Sequence, residues 1–298
     1  MKHRKLSQRQ KWGIFFISPW VIFFLVFQIY PFLLAFKNSF LDINILQPEK
    51  ARFVGFWNWI QAAADPLFWK SMFNICYNQA IYIVLSFIIG LTFALLLKEV
   101  LSKGGIFRTI YFLPVITSIT VAMIVFKYIS SPTGPIQALM LQWGMIKEPV
   151  FWASTKWLPM PVIAVFNSWK WFGVYMLIFL GGLVSINQQL YEAADIDGAG
   201  WLNKFFRITI PLLKPQIVFV LTMNIINGLQ MFTEVLMTFD LYGGRYNSAL
   251  TPVLYMYAKA FDKMEMGDAS ALGLLLGLII YTLTMVQMKL LNRGTEEV

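Results

Sequence analysis

Six long stretches of this chain are almost free of charge, and that narrows the folds open to it. A helix that crosses hydrocarbon needs about 20 consecutive apolar residues, and it must satisfy all of its backbone hydrogen bonds internally. Such runs lie at about 13–36, 73–97, 109–126, 161–183, 215–238 and 269–288, and the only charged residues within them are Lys170 and Glu234. The expectation is an all-α polytopic membrane protein with six transmembrane helices. Composition points the same way, with 58% hydrophobic and 13% charged residues, where a soluble domain carries about 25% charged. A water-soluble enzyme is thereby excluded. The first run is too long for a removed signal peptide and lacks the small-residue cleavage pattern.

Lysine and arginine set the direction of the spans. Lys2, Arg4, Lys5, Arg9 and Lys11 precede the first run without an acid among them, which places the N-terminus in the cytoplasm. Six crossings then bring Lys98, Lys103 and Arg108, next Lys204, Arg207 and Lys214, and finally Lys289 and Arg293 to that side. Both termini are expected to be cytoplasmic, as is segment 191–215. The predicted outer segments mix Lys37, Lys50, Arg52, Lys147, Lys156, Arg245, Lys259 and Lys263 with acids, mostly in longer loops where the bias weakens. They also carry Trp57, Trp59, Trp69, Trp143, Trp152 and Trp157, read as rings at the headgroup level. The net charge of +9 thus reflects orientation in lipid, and no nucleic-acid partner is expected. Cys76, the single cysteine, reads as a small packing residue; with only His3 besides, no zinc or haem site is expected.

One stretch is densely polar. From Gln188 to Ile196 the residues favour a helix, with Glu192 in an early turn and a small-residue face at Ala193 and Ala194. Gly198 and Gly200 break it, and glycine takes positive φ at little cost. Trp201, Phe205, Phe206, Ile208 and Ile210 then form an apolar face beside Lys204 and Arg207, until Pro211 and Pro215 limit the segment. An interfacial helix lying on lipid would account for 201–210. It would not account for Glu192, Asp195 and Asp197, which anionic lipid repels; a docking element for another protein accounts for both halves.

Glu192-Ala193-Ala194, then Asp197-Gly198-Ala199, then Phe205, Ile208, Pro211, Leu213 and Pro215 closely resemble the EAA loop of permease subunits in bacterial ABC importers. The likeness is strongest to the carbohydrate branch with the MetI-like fold, which includes the maltose, lactose and glycerol-phosphate permeases. Arg108-Thr109-Ile110-Tyr111-Phe112-Leu113-Pro114, Tyr242-Gly243-Gly244 and Met266-Gly267-Asp268-Ala269-Ser270-Ala271 resemble other parts of that branch. The resemblance covers nearly everything from residue 70 onward. It departs where the branch often has proline, at Asn187, and where it often has Gly-Gly-Pro, at Gly243-Gly244-Arg245. It implies a division into 1–69, an N-terminal segment with the first helix and an outer loop, and 70–298, the permease core with its coupling loop at 188–215. It implies that this loop enters a cleft of a cytoplasmic ATPase between helices four and five. Glu192 would be the charged contact, Ala193 and Ala194 the close-packing face and Gly198 the turn, with Asp195, Asp197, Ile208 and Pro211 completing the element. The implied partners are a second permease in a heterodimer, two ATPase subunits and an external solute-binding protein, in the bacterial inner membrane. No Gly-x-x-x-x-Gly-Lys-Ser/Thr loop is present, so this chain binds no cofactor of its own, and ATP and Mg belong to the ATPase partners.

Within the fifth run, Asn224, Asn227, Gln230 and Glu234 follow helical spacing and would form one stripe about 120° wide. At 1.5 Å per residue the two asparagines lie roughly 15–20 Å into the span, near the midplane. A polar stripe at that depth faces protein or water. It is either a solute pathway or interhelical glue. Carboxamides both donate and accept, as sugar hydroxyls require, and Phe232 and Trp169 are candidate sugar-stacking rings. The resemblance favours the pathway, with matching positions near Asn224, Asn227 and Gly228. Asn74, Asn78 and Gln79 read as glue or as a second cavity wall. Glu234 is expected to be solvated at the headgroup level and Lys170 to snorkel at the outer end. The competing classes are a permease for amino acids or peptides and an ion-coupled secondary carrier using Glu234 or Lys170.

Overall fold

The computed structural model describes residues 7–99 and 105–292. Lys2, His3, Arg4, Lys5, Lys103, Arg293 and the side chain of Arg108 lie outside the described residues. The principal helices are α1 (Lys11–Asn38), α2 (Pro66–Glu99), α3 (Gly105–Ile116), α4 (Ile119–Ile129), α5 (Pro159–Ser185), α6 (Gln188–Ile196), α7 (Trp201–Leu212), α8 (Lys214–Leu229), α9 (Thr233–Thr238), α10 (Pro252–Phe261) and α11 (Met266–Asn292).

The spans differ from the six uninterrupted helices expected. Among the described residues four helices, α1, α2, α5 and α11, are long and apolar enough to cross a membrane; α3 with α4 and α7 with α8 reach that standard only as pairs, bent by 97° and 65°. At the first bend Pro114 lies inside α3, and Ser118, with ψ near 130°, starts α4 from an extended conformation. Proline removes a backbone donor and crowds the turn before it, but the helix runs on past Pro114 to Ile116, and the break itself falls at Thr117–Ser118. The expected fifth helix also stops short. α8 ends at Leu229 with Gln230 as its cap, and α9 begins afresh at Thr233.

The described residues fall into two compact units, one within 1–65 and 256–276, the other within 66–255 and 277–298. In the first, none of the apolar window of α1 is buried. Leu41–Asp42 pairs antiparallel with Arg52–Phe53. Buried Asn58 donates to the carbonyls of Ser39 and Leu41 at 3.1 and 2.9 Å. Lys259 bridges Glu265 at 2.8 Å and Asp268 at 3.1 Å. Burial works against the charged form of that lysine, but the hydrogen bonds it donates to the two carboxylates, with their negative charge, outweigh it and raise its pKa.

The second unit is organised on α2 packed along α5. Lipid tails are as apolar as leucine, so helix association in a membrane relies on close packing and on polar contacts between helices. Both devices are present. Gly90 lets α2 approach so closely that a Cβ there would lie 3.0 Å from that of Tyr175. Leu91, Ala94, Leu97, Met176, Phe179, Leu180 and Leu183 fill the seam, joined by Leu213 and Val220. Asn74 donates to the carbonyls of Asn247 and Leu250 at 2.8 and 3.0 Å, and Asn78 to that of Met160 at 2.7 Å. Two expectations fail here. Trp152 is buried and donates to the Ser130 carbonyl at 3.0 Å instead of lying in an interfacial belt. Cys76 is exposed, because the buried stripe of α2 runs through Ile75, Asn78 and Gln79 instead.

Candidate functional site

Two regions of the second unit concentrate the candidate residues. The first is the α6–turn–α7 element. Asn187 caps α6 from an extended conformation, its Oδ1 accepting from the Gln189 N–H at 3.0 Å. At the other end Gly198 takes φ of +72°, and the Ala199 N–H closes on the Ala194 carbonyl at 2.9 Å. This left-handed stop favours glycine because other residues meet their own Cβ there. The Asp195 carboxylate binds the Lys204 ammonium at 2.6 Å and the Tyr191 hydroxyl meets Thr209 Oγ1 at 2.9 Å, so α6 is tied to α7. Lys98 of α2 lies 4.7 Å from the Tyr191 ring, a cation–π contact.

What this leaves outward is unusual. Glu192, Ala193, Asp197 and Pro211 are exposed, Ala194 and Ile208 half-buried. Ile196 is 88% exposed and Trp201 65%. Of the expected coupling residues, Asp195 is the one whose carboxylate is already engaged within the element.

The second region is a cavity of about 520 Å³, within the usual range for ligand sites. Gln79 and Tyr82 of α2, Asn167, Trp171 and Tyr175 of α5, Asn227 and Gly228 of α8, Gln230 and Phe232 of the following link, and Glu234 of α9 line it. Gly228 leaves room for the Gln79 carboxamide, which a Cβ there would force to move. Asn224 lies apart from the lining. It is buried and accepts from the Tyr175 hydroxyl at 2.9 Å, which in turn meets the Tyr82 hydroxyl at 2.8 Å. Trp169 is half exposed and outside the lining; Trp171 takes the place expected of it.

The break after Leu229 separates Glu234 from the stripe it was expected to share with Asn224 and Asn227. Both in-span charges are also buried, contrary to expectation. Glu234 is 8% exposed, with Asn167 and Lys170 interacting with its carboxylate. Lys170 is 1% exposed, and its ammonium donates to the carbonyls of Pro114, Val115 and Thr117 at 2.6, 2.9 and 2.8 Å. Those carbonyls are freed by the α3–α4 bend, so the lysine has no need to reach water. Asn167, Trp171, Val174, Tyr175 and Ile178 all face the cavity. Their helical spacing was a readable signal for this wall of α5.

A family model described as binding-protein-dependent transport system inner membrane component matches residues 86–297. The arabinooligosaccharides transport system permease protein AraP of Halalkalibacterium halodurans is 36% identical over 92% of this chain and 85% of its own. The lactose transport system permease protein LacF of Rhizobium radiobacter is 32% identical, covering 92% of each chain. The trehalose/maltose transport system permease protein MalF of Thermococcus litoralis is 31% identical over 96% of this chain and 95% of its own. Among solved structures, a bacterial ABC transporter involved in import of the acidic polysaccharide alginate superposes with a TM-score of 0.81 at 23% identity, over 96% of this chain and 97% of that one.

Proposed function

Since the chain belongs to the binding-protein-dependent transport system inner membrane components, we propose that it is the membrane-spanning subunit through which an ABC importer passes a sugar or oligosaccharide into the cytoplasm. The exposed, internally braced α6–turn–α7 element carries this reading. A helix that leaves Glu192, Ala193 and a nearly naked Ile196 in the open is built to be covered by another polypeptide. In this reading Glu192, Ala193, Ala194, Asp197 and Gly198 form the grip of an ATPase subunit, with Ile208 and Pro211 supporting it and Asp195 holding its shape. Six spans, each bent pair counting as one, then leave both termini and the element in the cytoplasm, and 70–298 form the permease core.

The cargo follows from a different line. Relatives above 30% identity bear the names of arabinooligosaccharide, lactose and trehalose/maltose systems, and the cavity is lined by Gln79, Asn167, Asn227 and Gln230 with Trp171 and Phe232 beside them. Carboxamides with aromatic faces suit polyhydroxyl solutes. A second permease, two ATPase subunits that hold ATP and Mg²⁺, and an external binding protein complete the proposed assembly. Its test is reconstitution in proteoliposomes with those partners. Uptake of a radiolabelled neutral oligosaccharide is expected to require ATP and the ATPase subunits. Flux through this chain alone, or driven by an ion gradient without ATP, would refute the proposal.

A further inference from the structure

The two side-chain atoms that the cavity wall leaves buried and unpaired are both acceptors. Asn78 gives its amide N–H to the Met160 carbonyl at 2.7 Å, which turns its Oδ1 toward the Gln79 Nε2 at 3.3 Å. That leaves the Gln79 Oε1, buried and without a partner. The Asn167 Nδ2 approaches the Met231 sulfur at 3.4 Å and the Glu234 carboxylate, and its Oδ1 too is buried without a partner. Gln230 spends Nε2 on the Ile226 carbonyl at 2.9 Å. Tyr175 donates to Asn224 Oδ1, so the Tyr82 hydroxyl must donate to Tyr175. No lysine or arginine is among the lining residues. The nearby Lys170 has its ammonium committed to three carbonyls.

Resting on the reading of this cavity as the cargo pathway, we propose that Glu234, with the free oxygens of Gln79 and Asn167, makes it a selector for sugars that offer hydroxyl donors and carry no carboxylate. A hydroxyl can donate to each of these acceptors. A uronate brings two more acceptor oxygens and a negative charge into a wall that holds an acid and no cation. It would surrender its hydration to a lining that offers no cation in exchange. Buried acceptors left facing a group that cannot donate are the arrangement that discriminates most sharply between otherwise similar ligands.

Saturation-transfer NMR on the assembled importer in nanodiscs, without the binding protein, separates this wall from the selectivity of the delivery step. Maltose, lactose and arabinotriose serve as neutral probes, and an alginate disaccharide as the uronate. The wild type is expected to contact the neutral sugars and to exclude the uronate by at least roughly tenfold in affinity. Glu234→Gln keeps the size and supplies a donor; Asn227→Lys, at an exposed lining position, supplies a cation without disturbing the buried acid. Either change is expected to shrink the discrimination about tenfold, and Asn227→Lys carries the test if Glu234→Gln does not assemble. Equal binding of both classes by the wild type, or unchanged discrimination in the variants, overturns the selector and leaves the sugar pathway standing. Absence of any neutral-sugar signal in the wild type overturns both.

Discussion

At the α6–α7 turn, Glu192 and Asp197 stand in solvent with Ile196 88% exposed beside them. At the cavity, Glu234 and Lys170 are folded away, and the lysine is bound to three carbonyls. The two regions hold the same kinds of residue under opposite rules. In the first, charges and apolar side chains are left open on the surface, as the proposed docking of another polypeptide requires. In the second, a charge at membrane depth is tolerable only if the protein itself satisfies it. A substitution in the first should therefore disturb assembly and coupling while the fold survives. One in the second should disturb the fold or the cargo.

The sharpest way to break that contrast is Glu192→Lys. Reversing an exposed charge should leave thermal stability close to that of the wild type, since surface changes away from special features typically shift it by only about 0.5 kcal/mol. If a basic group of the ATPase receives Glu192, like charges then meet at a protein interface. ATP-driven uptake in proteoliposomes should fall by at least roughly a hundredfold. Normal uptake by a stable variant would mean that the exposed acid grips nothing.

Lys170→Met tests the other side. The side chains are similar in length, but the ammonium is lost and the carbonyls of Pro114, Val115 and Thr117 lose a charged donor. Leaving buried acceptors unmade costs about 1–3 kcal/mol each in the worst case, and partial relaxation at the bend reduces the sum. A loss of about 2–3 kcal/mol is expected, visible as a lower melting temperature of the purified protein, with the ATPase affinity unchanged. A stable variant would show that the α3–α4 break is held by packing alone.

These two sites also mark what the sequence could and could not disclose. The turn at Gly198 was legible because its determinants are local. A short run of helix formers ended by a glycine specifies a helix stop from local sequence alone. The long spans were legible because hydropathy is additive along a helix, so α5 at Pro159–Ser185 lies close to the expected 161–183. The bends were not, because hydropathy is blind to angle, and Thr117 and Ser118 are apolar enough in context to pass for continuous helix. Lys170 was misjudged for the same reason. Its partners are carbonyls that exist only because another helix breaks, more than fifty residues away in sequence. Trp169 and Trp171 show a third limit. Two residues apart on a helix they point about 160° away from each other, and identity alone does not say which ring faces the cavity.

The finest test concerns Ile196. A side chain 88% exposed contributes almost nothing to the fold of this chain, so Ile196→Ser should leave its melting temperature where it was. If the ATPase covers it, the variant forfeits part of the roughly 1.5–3 kcal/mol that a fully buried isoleucine returns. Interface rims recover only a fraction of that. A weakening of about fivefold in ATPase affinity is therefore expected, measured by titrating the ATPase subunit onto the permease pair. Should Ile196→Ser bind as tightly as the wild type while Glu192→Lys fails, the grip would be electrostatic and the apolar edge of α6 would lie outside the contact. Should both variants bind normally, the distinction between a surface built for a partner and an interior built for itself would not hold at α6.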